Sequence, residues 1–361
     1  MSDLYNILTE SKNPTNVIQY STQYNIRNQQ GSVIRLNNGN LLCAWTYFFE
    51  EEEDPSESEI WAKISTNNGL SWGNAYQIIA IEVGTNGVRH PSLFLKSNGD
   101  ILLVCTLEAD DGLSAQVVQY ISSDNGATFG GKTSIYSSSD YEAPDCIVSA
   151  SHRILETTTG RLIYPFHIPT TATHASATGI MVVRFIYSDN QGVSWSISAS
   201  ILGIANPVDE QLLAEPCITQ LPNGNLLCLM RTRSGYGRIS TSTDNGATWS
   251  NPPTKSGTLI ESNASVWISY TNNKLIAIVN RPEGGVVNGA AARIRMDLWQ
   301  SEDNGATWSF IKNLLYKDDD YNFCEPIVYD KGTGILMFYS YYPYGTSYQD
   351  LRFERYNYSE L

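Results

Sequence analysis

The chain has 361 residues, 42% hydrophobic and 11% aromatic, enough apolar side chain for a large core, and no Pro/Ser-rich linker or compositional break divides it. Its net charge of −14, from 37 acidic against 23 basic residues, argues against nonspecific nucleic-acid binding, which needs a basic footprint to neutralise phosphates. A small anionic ligand stays open, because it responds to the field inside a pocket rather than to the total charge.

Residues 1–361 read as one domain, with 1–20 an extension that closes or flanks it. The first residues, MSDLYNILTESKNPTN, have no apolar signal core, and no window reaches membrane-spanning length. The expected location is therefore the cytoplasm, or a virion or lysate into which the protein is released. From there the chain alternates two phrases. One is a turn followed by an apolar strand: NGNLLCAW at Gly39, NGDILLVC at Gly99, TGRLIYPF at Gly160, NGNLLCLM at Gly224, NNKLIAIV at Asn273 and TGILMFYS at Gly334. Asn-Gly and similar pairs supply the positive φ of a tight hairpin turn, so each marks a hairpin.

The other phrase runs Ser65–Trp72, Ser122–Phe129, Ser188–Trp195, Ser242–Trp249 and Ser301–Trp308. Its glycines, Gly69, Gly126, Gly192, Gly246 and Gly305, are 57, 66, 54 and 59 residues apart, too irregular for a solenoid and suited to blades with variable loops. Six hairpins and five copies of this phrase predict an all-β, six-bladed propeller of four-stranded antiparallel blades, with the phrase missing from the sixth. In STDNGATW the aspartate accepts backbone N–H bonds of its own turn, the glycine takes a left-handed conformation, and Trp249 buries its ring between blades. These are tasks of stability, and an aspartate committed to a turn is a poor acid or base.

Cys43, Cys105, Cys146, Cys217, Cys228 and Cys324 include no CxxC pair, so neither structural zinc nor a redox motif is indicated. Cys43, Cys105 and Cys228 fall in predicted strands and read as core residues.

The repeated phrase S-x-D-x-G-x-[TS]-[WF] is the Asp-box of the bacterial neuraminidase repeat, and from about Arg27 to about Tyr341 the chain resembles the sialidase superfamily. The strongest signal between the boxes is LAEPCITQLPNGNLLCLMRTRSG, whose Glu215 and Arg231 stand 16 apart around Gly224. Two antiparallel strands joined by a tight turn bring their far ends together, so the two residues should meet at a blade end; a structural ion pair is the competing reading. The resemblance makes Arg231 and Arg293, with Arg27 as the first member, a triad that binds a substrate carboxylate. Arginine suits this because its planar fork grips a carboxylate bidentately. Arg295, two residues after Arg293, is the alternative third member. Arg27 lacks the Ile-Pro that follows the family's first arginine. Arg89, beside His90 in the second blade, is an accessory pocket residue, and the same function or a solvated strand end is open for Arg153.

The resemblance places a general acid/base before the first box, where FFEEEEDPSESEIW offers Asp54, or Glu53. Without the family, this run is a solvated acidic loop. Asp110 and Asp111 hold a comparable place in the second blade. Retaining sialidases attack with a tyrosine, activated by the glutamate corresponding to Glu215, an exception to the usual pair of carboxylates. Tyr321 lies 28 residues after Arg293, yet Phe323-Cys324-Glu325-Pro326 falls where relatives have Tyr-Ser. Either the strand end bulges and Tyr321 serves, or Phe323 stands there and the covalent intermediate is lost. The implied activity is a retaining exo-glycosidase acting on sialic acid or a related nonulosonic acid, with no metal or cofactor. A non-catalytic glycan-binding propeller of a virus or cell surface, and a same-fold hydrolase of another acidic sugar, are the alternatives.

Overall fold

The computed structural model describes residues 16–49, 57–109, 114–137, 154–169, 181–203, 213–260, 263–281, 293, 295–316, 321–343 and 348–361. Strands β1 (Val17–Gln19), β2 (Arg27–Arg35), β3 (Leu41–Phe48), β4 (Ser58–Ser65) and β5 (Tyr76–Ile79) come first. After them run β6 (Thr85–Leu95), β7 (Ile101–Ala109), β8 (Ala115–Ser122) and β9 (Gly130–Ser137). β10 (Leu155–Glu156), β11 (Leu162–Pro169), β12 (Met181–Ser188) and β13 (Ser196–Ile197) make one four-stranded sheet. β14 (Ala214–Gln220), β15 (Leu226–Arg231), β16 (Tyr236–Ser242) and β17 (Thr254–Ile260) make another. β18 (Trp267–Thr271), β19 (Lys274–Asn280), β20 (Arg295–Ser301) and β21 (Ser309–Tyr316) make a third. In the fourth, β22 (Tyr321–Asp330), β23 (Gly334–Pro343) and β24 (Asp350–Asn357) are completed by β1, which pairs with β24 and so ties the two ends of the described chain into one sheet.

The architecture is an all-β propeller. The expectation of six separate four-stranded blades is corrected: the described strands form four four-stranded sheets and one of eight, β2–β9. A single parallel bridge, Ser58 to Gly87, joins β4 to β6. The approach is possible because position 87 has no side chain; a Cβ there would lie 2.4 Å from the Ser58 carbonyl oxygen.

The repeated boxes fix the order of the sheets. In the fourth box the Ser242 hydroxyl donates to Asp244 Oδ1 (2.8 Å) and accepts the Gly246 N–H (2.8 Å), while Asp244 Oδ1 accepts the Thr248 N–H (2.9 Å). Asn245 and Gly246 take φ of 59° and 83°, the left-handed region that the sequence anticipates. The tight turn presses its glycine onto the neighbouring sheet: a Cβ on Gly246 would meet Ile163 at 2.6 Å, on Gly305 Leu227 at 2.7 Å, on Gly192 Leu102 at 2.9 Å and on Gly126 Leu42 at 2.7 Å. Each box thus sits on the preceding repeat, and Gly69 of the first meets Leu336 of the last at 2.7 Å. The order is therefore cyclic.

The core follows the same logic. Trp249 stacks on Phe185 of the preceding sheet at 4.2 Å, and Trp72 lies edge-on to Phe338 and Phe353 of the last one. Burying such a ring is worth on the order of 3 kcal/mol. Cys43, Cys105, Cys217, Cys228 and Cys324 are buried free thiols; Cys146 lies outside the described residues. Among the described residues no helix is long and apolar enough to cross a membrane.

Candidate functional site

The ends of the strands remote from the hairpin turns are built differently from the box ends. Four inner strands break register there: β2 between Gln29 and Ser32, β6 between Arg89 and Ser92, β14 between Ala214 and Cys217, and β22 between Cys324 and Ile327. Inside each break one residue has positive φ: Gln30 (56°), His90 (56°), Glu215 (46°) and Glu325 (55°). A bulge of this kind re-aims a side chain at the cost of local strain, and non-glycine residues hold such φ values only where their surroundings impose them.

Two of these bulges meet. Arg231, at the end of β15 opposite Ala214, donates from Nη1 to Glu215 Oε1 at 2.5 Å. The hydroxyl of Ser265, just before β18, lies 2.6 Å from Glu215 Oε2 and 2.7 Å from Glu325 Oε1. Asn263 receives Arg231 Nε on its side-chain oxygen (2.9 Å) and Arg293 Nη2 on its carbonyl oxygen (3.1 Å). Arg293 is fixed at the backbone by β22, its N–H donating to Asn322 Oδ1 (2.8 Å) and its carbonyl accepting the Phe323 N–H (2.8 Å). From the other side, the Glu215 N–H donates to His167 Nδ1 at 3.2 Å, a bond that requires the Nε2-protonated tautomer.

The charges follow from this packing. Burial works to raise the Glu215 pKa, but Arg231, the Ser265 hydroxyl, His167 and Arg293 overcome it and hold the carboxylate ionised, at about 2. Burial and then the Glu215 charge push Glu325 up, to about 7, against the opposing pull of Ser265, Arg231 and Arg293. Burial brings His167 down to about 4, so its ring is neutral. Burial disfavours the Arg293 charge, yet Cys324, Tyr342, Glu215 and Glu325 together raise its pKa. A partly buried carboxylate with two guanidinium groups beside it, and a second carboxyl one hydroxyl away, can receive an anionic group on the arginines and exchange a proton.

Of the residues singled out in the sequence, Glu215, Arg231 and Arg293 come together here. Arg295 does not share this cluster: it lies over the Tyr316 ring at 5.5 Å and acts on the buried Asp297. Arg27 and Arg89 share a different neighbour, both lying over the Phe48 ring, at 3.8 and 5.4 Å. Arg89 also pairs with buried Glu108 at 2.9 Å and donates from Nε to the Ser58 hydroxyl. β22 is regular from Tyr321, opposite Pro343, to Cys324, so its bulge falls after Cys324 and not at Tyr321. Phe323 is buried between Tyr339 and Tyr341, each with its ring centroid 5.7 Å away. Glu53, Asp54, Asp110, Asp111 and Arg153 lie outside the described residues.

Glu325, Ser265, Asn263 and His167 were not singled out as site residues from the sequence. For Glu325 a signal exists: Glu215-Pro216 and Glu325-Pro326 are the same dipeptide, each glutamate nine residues before its hairpin glycine, Gly224 or Gly334. Gln30 and His90 stand at that same offset from Gly39 and Gly99.

These features define an all-β propeller whose blades are pinned by Asp-box turns and whose inner strands bring arginines and carboxylates together at their bulges. The chain belongs to the BNR repeat-like domain family, whose model matches residues 39–358. No curated protein matches it in sequence. Among solved structures it is similar to a protein of unknown function from Dyadobacter fermentans, at 17% identity over 94% of this chain and 96% of that one, with a TM-score of 0.71. It is also similar to the intramolecular trans-sialidase of Ruminococcus gnavus, at 15% identity over 96% and 98% of the two chains, TM-score 0.70. The NanB sialidase of Streptococcus pneumoniae aligns at 11% identity over 96% of this chain and 71% of its own, TM-score 0.72.

Proposed function

We propose that the protein is a retaining exo-glycosidase that releases terminal sialic acid or a related nonulosonic acid from glycans. The observation that carries this reading is the meeting of Arg231, at the end of β15, and Arg293, before β20, on Asn263 beside the partly buried carboxylate of Glu215. Two of the structural neighbours bear the names sialidase and trans-sialidase, and the class of activity is taken over from them. In this reading the eight-stranded sheet counts as two blades, β2–β5 and β6–β9, because a single β-bridge is the only strand pairing between them among the described residues, and the propeller is six-bladed.

Arg27, Arg231 and Arg293 bind the sugar carboxylate, with Arg89 lining the same mouth. Asp54 protonates the glycosidic oxygen as the bond to the anomeric carbon breaks. Tyr321 attacks that carbon and gives its phenolic proton to Glu215, and water later releases the sugar with Asp54 as base; the regular pairing of β22 from Tyr321 to Cys324 speaks against this role and for the alternative in which Phe323 stands at the site and no covalent intermediate forms. A neutral nucleophile avoids the repulsion that a carboxylate would meet from the substrate's own carboxylate.

Release of 4-methylumbelliferone from its sialic acid glycoside tests the reading. Wild-type protein should turn over, with Asp54→Ala slowed about 10²–10⁴-fold and Tyr321→Phe inactive. Activity that survives Tyr321→Phe removes the nucleophile and leaves the class. No turnover by wild type, with sialylglycan binding that Arg231→Ala abolishes, replaces hydrolysis with glycan recognition, the outcome that Phe323 at the family's tyrosine position would favour.

A further inference from the structure

We propose that Glu325 holds a proton in the resting site and, through Ser265, forms one ionising unit with Glu215. This deepens the proposed function and rests on it for the part Glu215 plays. Ser265 Oγ is within hydrogen-bond distance of one oxygen of each carboxyl, 2.6 Å from Glu215 and 2.7 Å from Glu325. A hydroxyl has one proton to donate. With both carboxyls ionised, one of the two short contacts would set lone pair against lone pair between like charges. With Glu325 protonated, its O–H donates to Ser265 Oγ and the Ser265 O–H donates to Glu215, and both contacts become hydrogen bonds.

The neighbours of each carboxyl decide which one keeps the proton. Glu215 has the direct guanidinium contact, from Arg231 on its other oxygen, and its N–H rests on His167. The groups that face Glu325 are Glu215 from β14, Ser265 before β18, Arg231 from β15 and Arg293 before β20. Among the described residues, Cys324 on its own strand and Tyr342 on β23 also interact with its charge. The two arginines act on both carboxyls, but Arg231 bonds to Glu215, so the negative charge settles there and the proton on Glu325. Both glutamates sit at positive φ in matching strand bulges, so their approach is imposed by the backbone and is no accident of flexible side chains.

The consequence is a site with one net negative carboxyl facing two arginines at low pH and two at high pH. A ligand that brings its own carboxylate binds less tightly once Glu325 ionises. The charge of the cluster is thereby tied to pH near neutrality, a property that neither glutamate would have alone.

Carbon-13 NMR of ligand-free protein labelled at the glutamate side-chain carboxyl tests this without reference to any substrate. One carboxyl should titrate with a midpoint near 7, vanish in Glu325→Gln, and move down by about one pH unit or more in Glu215→Gln, where the facing charge is gone. The wild-type titration needs no variant, so a failure of Glu325→Gln to fold leaves the test standing. Absence of any glutamate titrating between pH 5.5 and 8.5 overturns the proposal. So does a neutral titration that persists in Glu325→Gln, or a midpoint unmoved in Glu215→Gln. A hydrolytic failure of the protein with this titration intact would instead count against the glycosidase reading alone.

Discussion

Replacing Glu325 with glutamine should stabilise the fold, and by more at pH 8 than at pH 5. A carboxyl whose folded pKa lies above its unfolded value keeps its proton longer in the native state. Between the two values the native state binds more protons than the unfolded chain, so stability falls as pH rises. The shift from 4.5 to about 7, at about 1.4 kcal/mol per unit, sets a ceiling of about 3 kcal/mol on this loss. Sharing of the proton affinity with Glu215 brings the expected value to about 2 kcal/mol. Glutamine has no charge to bury, so the advantage of Glu325→Gln over wild type should grow by that amount from pH 5 to pH 8. His167, brought down to about 4, acts oppositely in part of the window, because the unfolded chain takes up its proton first and stability falls with falling pH. Glu215, depressed in the fold, loses its contribution only in acid below its unfolded pKa. Both are present in both proteins and cancel to first order in the difference. Urea denaturation of the pair at the two pH values reads it directly. With an unfolding entropy of about 0.8 kcal/mol per kelvin for a chain of this length, the thermal counterpart is about 2–3 °C. An advantage equal at both pH values would refute the reasoning.

Two further substitutions test the scaffold. Gly246→Ala should lower the thermal midpoint by about 3–5 °C and Gly224→Ala by only about 1–2 °C: both put alanine at positive φ, but only the first drives a Cβ to 2.6 Å from Ile163. Equal losses would mean that the box glycine is not an inter-sheet contact. Asp244→Ala should cost about 1–2 kcal/mol, since it removes the acceptor of the Ser242 hydroxyl and the Thr248 N–H. Under the proposed function, affinity for a sialylglycan, measured by calorimetry, should be the same in Asp244→Ala as in wild type; a tenfold loss would place the box in the site.

What could be read from the sequence was what depends on short spans of chain. Gly246 and Asn245 announce their turn because few other residues accept those φ values, and Glu215 and Arg231 meet because a hairpin of known length separates them. Joining of β2–β5 to β6–β9 was not readable, since their one strand pairing is the approach between Ser58 at the start of β4 and Gly87 near the start of β6, 29 positions apart. Ser265 and His167 reach the carboxylates from other strands and sit in no motif. Glu325 does have a local signal, the repeated Glu-Pro nine residues before a hairpin glycine that marks the bulge, whereas the family pattern points to Tyr321 and Phe323 on the same strand.

That offset separates scaffold from site in physical terms. At the box turns, left-handed backbone falls to Asn68, Asn125, Gln191, Asn245 and Asn304 and the glycines after them, mostly residue types that tolerate it. At the bulges the same conformation is occupied by Gln30, His90, Glu215 and Glu325, at a cost on the order of 1 kcal/mol each or more. Glycine would relieve that strain at every one of the four, as it does at the turns. For Glu215 and Glu325, the side chain that glycine would remove is the one that Arg231 and Ser265 hold. The strain is therefore offset by the contacts of the very groups it positions, and removing those contacts should loosen the bulge and the site together.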